Sequence, residues 1–240
     1  KEILFAEYWG QIIAIDSDGS PLPGWQYDMG NQVWGTPAIG DMNGNGENEI
    51  VLTSKDGKAV ILDMNGNELL VYDAGQFLMG TPALGNLDMD EDLEIVFGGY
   101  TPSGKIFAIN SDGSDVSGFP IILSERILGG VALADLNSNL KDDIVFATQE
   151  GNIYLIYDDA TIAPGFPVET GGIFKKAPSI ILPENEAPLI AVGSKNDIFY
   201  GINIDGSLRF SFSTSGDIMT SPAITSRSNG EIIIAFGSND

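Results

Sequence analysis

Three short polar segments place side chains with oxygen atoms at nearly every second position. They are residues 41–49, 86–94 and 135–143, called loops one, two and three, with "DMNGNGENE" of loop one the most regular. Positions one, three, five, seven and nine hold Asp41, Asn43, Asn45, Glu47 and Glu49; Asn86, Asp88, Asp90, Asp92 and Glu94; and Asp135, Asn137, Asn139, Lys141 and Asp143. Calcium takes about six to eight oxygen ligands, so a compact loop with this alternation can wrap it. The pattern predicts calcium sites.

A second interpretation of the same loops needs no metal. Asp and Asn in surface connections form turns in which the side-chain oxygen accepts a hydrogen bond from a nearby backbone amide. One such loop alone favours that interpretation, whereas three loops in the same phase of a repeat favour calcium. Gly46 at position six of loop one adds to the calcium case, because a sharp turn there needs a positive φ.

The loops belong to an internal repeat of about 46 residues. "TPAIGDMNGNGENEIVLTS", "TPALGNLDMDEDLEIVFGG" and "GVALADLNSNLKDDIVFAT" align without a gap, and weaker copies begin at Ala177 and Ser221. Each repeat contains four short apolar runs separated by Gly, Asn and Asp, and no segment has sustained helical spacing. The sequence predicts an all-β fold, a β-propeller of four-stranded antiparallel blades that occupies residues 1–240.

The ends of the chain leave the number of blades open. The N-terminal segment supplies strands two, three and four of a blade, and the C-terminal segment supplies strands one and two. Five blades could close by joining the two ends, or the chain is a slice of a larger ring, which we favour. The turns "DSDG", "DMNG", "NSDG" and "NIDG" between third and fourth strands are acidic but are predicted to be ordinary hairpins.

The loops resemble those of the FG-GAP or VCBS repeat family, best known from the propellers of integrin α subunits. "IGDMNGNGENEIVL" matches the family pattern closely, and "LGNLDMDEDLEIVF" and "LADLNSNLKDDIVF" match with departures. The resemblance implies two or three calcium ions, ligated by side chains at positions one, three, five and nine and by the carbonyl at seven. Leu140 at position six predicts that loop three is weakest or rearranged, and "PENEAPL" and "SRSNGEI" in the last two repeats are predicted to be metal-free.

Composition excludes several classes of function. The chain has no cysteine and no histidine, which removes disulfides, thiolate metal sites and Ser-His-Asp or Cys-His catalysis. Its 34 acidic and 11 basic residues give a net charge of −23, which disfavours nucleic acid and anionic membrane surfaces as partners. No apolar run is long enough for direct membrane insertion. The chain begins at Lys1, which we interpret as a processed form or an excerpt.

The aromatic residues divide into two groups. Trp25, Phe119 and Phe166 follow the hairpins at a similar phase and are predicted to plug the gaps between blades. Tyr8, Trp9 and Trp34 are less regular, and we expect core positions for them, with a ligand-binding surface as the alternative.

These features together favour a non-enzymatic function. We expect an extracellular or cell-surface interaction or adhesion module, stabilised by calcium, within a larger multidomain chain and with an unknown protein or glycan ligand. The alternative is a propeller-fold polysaccharide lyase or hydrolase with calcium-assisted carbohydrate binding.

Overall fold

The chain folds into consecutive antiparallel sheets. A computed structural model describes residues 2–90, 92–183, 186–227 and 231–240, which contain strands, turns and no helix. No helix able to cross a membrane therefore occurs in these ranges. The predicted all-β class is confirmed for the described residues.

Six sheets follow one another along the sequence. Sheet 1 contains β1 (Ile3–Ala6), β2 (Gln11–Ile15) and β3 (Tyr27–Asp28). Sheet 2 contains β4 (Ala38–Gly40), β5 (Glu49–Thr53), β6 (Lys58–Leu62) and β7 (Glu68–Asp73). Sheet 3 contains β8 (Ala83–Gly85), β9 (Glu94–Gly98), β10 (Lys105–Ile109) and β11 (Ile121–Ile122).

Sheet 4 contains β12 (Ala132–Ala134), β13 (Asp143–Ala147), β14 (Asn152–Ile156) and β15 (Val168–Glu169). Sheet 5 contains β16 (Ser179–Ile181), β17 (Leu189–Gly193), β18 (Ile198–Asn203) and β19 (Leu208–Ser213). Sheet 6 contains β20 (Ala223–Ser226) and β21 (Ile232–Ala235). Within each sheet the strands pair in chain order, so the four-stranded repeat is confirmed in sheets 2 to 5.

The core lies between the sheets. Each apolar cluster joins two consecutive sheets; for example, Val51 and Ile61 of sheet 2 pack with Ile95 and Phe107 of sheet 3. The second strands β5, β9, β13 and β17 are buried at every residue. Burial on both faces explains why their sequences are continuous apolar runs rather than alternating ones.

The hairpins follow the sequence pattern. In "DMNG" the Gly66 amide donates to the Asp63 carbonyl at 3.0 Å, and Gly66 has φ of 80°. A turn of the same form, which was not predicted from the sequence, joins β14 to the next segment. There Ala160 takes the glycine position with φ of 67°, and its amide donates to the Tyr157 carbonyl at 3.0 Å.

The two end sheets are incomplete, as the sequence predicts. Sheet 1 has three strands and sheet 6 has two, and among the described residues β1 pairs with β2 alone and β21 with β20 alone. Closure into five blades by strand pairing of the two ends is therefore not seen in the described part of the chain.

The aromatic plugs occupy the predicted gaps. Trp25 packs in the cluster between sheets 1 and 2, and its indole Nε1 donates to the Met64 carbonyl of sheet 2 at 2.9 Å. Phe119 is buried between sheets 3 and 4, and Phe166 packs between sheets 4 and 5.

Candidate functional site

The three candidate metal loops connect the first and second strands of sheets 2, 3 and 4. All three are anchored in the same way, because a buried carboxylate at position nine accepts a hydrogen bond from the backbone amide of position two. The pairs are Met42 to Glu49 at 2.8 Å, Leu87 to Glu94 at 2.5 Å and Leu136 to Asp143 at 2.9 Å. Position nine is also the first residue of the second strand, so the strand holds this carboxylate under the loop.

Loop three keeps the backbone of loop one. Asp41 accepts hydrogen bonds from the amides of positions five and six in loop one, at 3.1 and 2.8 Å, and Asp135 does so in loop three at 3.1 and 2.9 Å. Position six has positive φ in both loops, 87° at Gly46 and 70° at Leu140. The left-handed backbone predicted for Leu140 is present, at a cost of about 1–2 kcal/mol, while the predicted rearrangement of the loop is not.

Position three separates loop two from the other two loops. In loop one the Asn43 amide nitrogen donates to Glu49 Oε1 at 3.2 Å, and in loop three Asn137 donates to Asp143 Oδ1 at 3.1 Å. These amide N–H groups give the buried carboxylate a partner inside the protein. Loop two has Asp88 at this position, and an ionised carboxylate has no proton to donate.

Loop two consequently concentrates negative charge. The carboxylate oxygens of Asp88, Asp90 and Glu94 lie within 4.8 Å of one another. No other three acidic residues in the described ranges come this close together. Burial raises the pKa of Glu94 to about 7; the Leu87 amide opposes this shift, and the charges of Asp88 and Asp90 add to it. This arrangement can bind a divalent cation, whose charge would offset the repulsion.

In loops two and three the side chain at position seven has a partner outside the loop. Asp92 Oδ2 accepts a hydrogen bond from Ser111 Oγ at 2.6 Å, and Lys141 Nζ pairs with Asp158 Oδ2 at 3.0 Å. Asn139 of loop three also donates to Asp158, at 2.7 Å. Loop three thus carries an internal cation. Position six of loop two, Glu91, lies outside the described residues, as do parts of "PENEAPL" and "SRSNGEI".

Hydrogen bonds join the loops to each other. The Leu93 amide of loop two donates to the Met42 carbonyl of loop one at 2.8 Å, and the Asp142 amide of loop three donates to the Asn86 carbonyl at 2.7 Å. Asp142 Oδ2 also accepts from the Asn86 amide at 3.0 Å, and burial raises the pKa of Asp142. Sequence reasoning did not give Asp142 this role, because the contact is between repeats.

The opposite ends of the first strands surround a central cavity of about 400 Å³. Its walls are the segments 34–36, 79–81, 128–130, 175–177 and 219–221. These segments come close together at glycines: a Cβ on Gly80 would lie 2.1 Å from the Gly129 carbonyl oxygen. The cavity was not predicted from the sequence; the recurring "WGTP" and "MGTP" ahead of the first strands of sheets 2 and 3 are its sequence signal.

An exposed aromatic cluster stands beside the cavity. Tyr8, Trp9 and Trp34 are 46, 69 and 48% exposed, and the Tyr8 ring centroid is 5.0 Å from that of Trp9 and 5.6 Å from that of Trp34. The expected core positions are wrong for these residues. They lie in connections outside the regular strands, where no neighbouring sheet covers them.

Comparisons with known proteins support the fold alone. No protein-family model matches the chain, and no curated protein matches it. Among solved structures, BamB from Moraxella catarrhalis has a TM-score of 0.57 at 15% identity, covering 98% of this chain and 81% of BamB. The V. cholerae biofilm matrix protein Bap1 has a TM-score of 0.66 at 15% identity, and the match covers 95% of this chain and 40% of Bap1. The Pseudomonas aeruginosa PilY1 C-terminal domain has a TM-score of 0.62 at 13% identity, and the match covers 99% of this chain and 66% of PilY1.

This chain therefore spans 40% of the Bap1 chain and 66% of the PilY1 chain. Together with the consecutive four-stranded sheets, these likenesses define a β-propeller-like fold.

Proposed function

We propose that this protein is a calcium-binding β-propeller module of the FG-GAP or VCBS type, which presents an interaction surface to a protein or glycan outside the cell. The observation that carries the proposal is the carboxylate trio of Asp88, Asp90 and Glu94 in loop two. The same anchoring bond at position nine in loops one and three supports the same kind of site there.

The proposed role of calcium is structural. A cation in loop two would neutralise three close carboxylates and tie β8 to β9 through one centre. Loop one would follow, because the Asn43 amide must first turn its oxygen toward the ion and give up its bond to Glu49. Loop three would bind most weakly, since Lys141 and the strained Leu140 both oppose it.

An extracellular setting fits these sites. They mix amides with carboxylates, and such sites suit calcium concentrations of about 0.1–1 mM, which occur outside cells. The net charge of −23 adds to the attraction of cations and keeps the protein apart from nucleic acid.

Calorimetric titration with calcium tests the proposal, together with the melting temperature in calcium and in EDTA. We expect heat of binding and a higher melting temperature in calcium, and both responses should fall in Asp88→Asn. The matched control is Asp112→Asn, which removes the same charge from a hairpin where Asp112 caps the Ser114 amide at 2.8 Å. A flat titration with an unchanged melting temperature in EDTA would refute calcium binding.

The exposed aromatic cluster keeps carbohydrate processing as the second candidate. A polysaccharide lyase or hydrolase would need acidic or basic catalytic groups facing the substrate. The residues described around the cavity include two lysines and no carboxylate, which favours binding over hydrolysis. Turnover of acidic polysaccharides, with and without calcium, would favour the enzyme.

A further inference from the structure

We propose that the central cavity binds a carboxylated carbohydrate, with Lys175 and Lys176 recognising the carboxylate and Trp34 contacting the sugar ring. This inference names a ligand class for the interaction module and rests on the proposed function for its biological setting. The binding site itself is distinct from the calcium loops.

Lys175 and Lys176 differ from most of the other described basic residues, because neither has an acidic partner in the part of the chain that the structure describes. Six of the described basic residues form ion pairs with Asp or Glu; they are Lys58, Arg126, Lys141, Lys195, Arg209 and Arg227. Lys55 donates to Gln32 at 3.1 Å, and Lys105 lies over the Phe107 ring.

Lys175 and Lys176 lie on the cavity wall with no carboxylate within 4.0 Å among the described residues. Acidic side chains outnumber basic ones by 34 to 11, so two adjacent lysines without an ion-pair partner among the described residues are unusual here and contribute a positive potential at the cavity wall. An anionic group in the cavity would supply the missing partner.

The acidic loops do not cancel this potential. Loop one begins at Asp41, and the cavity segment of the same repeat ends at Thr36, so an extended strand separates them. At about 3.3 Å per residue the separation is roughly 16 Å, which is twice the Debye length of about 8 Å at physiological salt. The loop carboxylates therefore contribute little to the potential at the cavity.

An exposed aromatic surface adjoins the cavity. Tyr8 contacts both Trp9 and Trp34, and all three side chains remain 46–69% exposed, although burying more of their apolar surface would be favourable. Trp34 is one wall of the cavity, and Tyr8 and Trp9 extend the same surface outward. An apolar ring face beside hydroxyl groups suits a sugar, which has both C–H faces and hydroxyls.

Hydroxyl groups complete the polar lining. Thr36 and Thr81 hydroxyls lie 3.2 Å apart across two neighbouring segments, and Thr220 and Ser221 also line the cavity. Each hydroxyl both donates and accepts hydrogen bonds, as sugar hydroxyls do. The volume of 400 Å³ falls within the range of about 300–1,000 Å³ for small-ligand sites. A cavity of this size suits part of an oligosaccharide rather than a folded protein.

The test measures binding of two oligosaccharides by calorimetry. The anionic probe is a hexasaccharide of alternating glucuronic acid and N-acetylglucosamine, and the neutral probe is a hexamer of N-acetylglucosamine. Both are titrated into the protein in calcium and in EDTA. We expect the anionic probe to bind more tightly than the neutral one, and its affinity to fall with added salt.

Two variants and two controls locate the site. Lys175→Gln/Lys176→Gln should weaken binding of the anionic probe at least about tenfold, and Trp34→Ala should do the same for the ring contact. The controls are Lys195→Gln, an ion-paired lysine outside the cavity wall, and Phe212→Ala, an exposed aromatic on β19. Both controls should keep wild-type affinity. Circular dichroism and melting temperature establish that each variant is folded.

Several outcomes would overturn the inference. These are absence of binding to either probe, equal affinity for both, or unchanged binding in the lysine and Trp34 variants. Competition by polyaspartate as strong as that by the hexasaccharide would overturn the assignment to a carbohydrate. A calcium-dependent melting shift without sugar binding would reject this site and leave the calcium module standing, whereas sugar binding without a calcium response would do the reverse.

Discussion

The residue at position three should decide whether a loop needs a cation. In loop one the Asn43 amide donates to the buried Glu49, whereas in loop two Asp88 faces the buried Glu94 with no proton to donate. Asp88→Asn therefore gives loop two the internal partner that loop one has. Asn43→Asp removes that partner from loop one.

The expected magnitude follows from the bond exchanged. A hydrogen bond to a charged group contributes about 1.5–3 kcal/mol, and 1 kcal/mol shifts the melting temperature of a chain of this size by about 2–4 °C. In EDTA and above about pH 7, where Glu94 is ionised, we expect Asp88→Asn to melt roughly 3–12 °C higher than wild type, and Asn43→Asp to melt lower by a similar amount. In calcium at about 1 mM, the melting temperature of Asn43→Asp should return towards the wild-type value, while that of Asp88→Asn should rise little.

Thermal unfolding followed by circular dichroism, with EDTA and calcium in parallel, checks both changes. Asp112→Asn controls for the loss of one negative charge, because a general reduction of repulsion would stabilise it as much as Asp88→Asn. The reasoning is refuted if Asp88→Asn destabilises the protein in EDTA, or if Asn43→Asp shows the same calcium response as wild type.

Three further predictions concern single residues. Glu94 has a pKa of about 7 in the folded protein and an ordinary value of 4.5, so between these pH values the folded state binds more protons than the unfolded state. In EDTA the free energy of unfolding should therefore fall as pH rises from about 4.5 to 7. Glu94→Gln should flatten this pH profile, measured by urea titration. Leu140→Gly removes a left-handed leucine and should raise stability by about 1 kcal/mol, so no gain in melting temperature would contradict it. Gly80→Ala should lower the free energy of unfolding in urea by about 1–3 kcal/mol, because the new Cβ meets the Gly129 carbonyl. The control Gly75→Asn should be nearly neutral, since Gly75 has φ of 64° and open space around it.

The strands and turns could be predicted because their signals are local. Continuous apolar runs marked β5 and β9, and "DMNG" marked a hairpin through its own Asp and Gly. The turn at Ala160 escaped because alanine gives no sign of a positive φ.

The site was only partly accessible from sequence. The spacing of oxygen-bearing side chains predicted all three loops. It does not distinguish Asn43, which has N–H donors, from Asp88, which has a negative charge. Asp142 of loop three accepts a hydrogen bond from loop two, and Trp34 lies exposed on the cavity wall. Both facts depend on contacts between repeats, which no single repeat encodes.

The hydrogen bonds from Leu93 to Met42 and from Asp142 to Asn86 give the three loops a common backbone framework. An ion that fixes loop two would also fix one peptide group of loop one and one of loop three, and so would reduce the entropy that the next ion must overcome. Binding linkage is reciprocal, so a weak site in loop three would in turn tighten loop two. Calcium uptake by this protein would then be cooperative, with a steeper response to concentration than three independent sites could give.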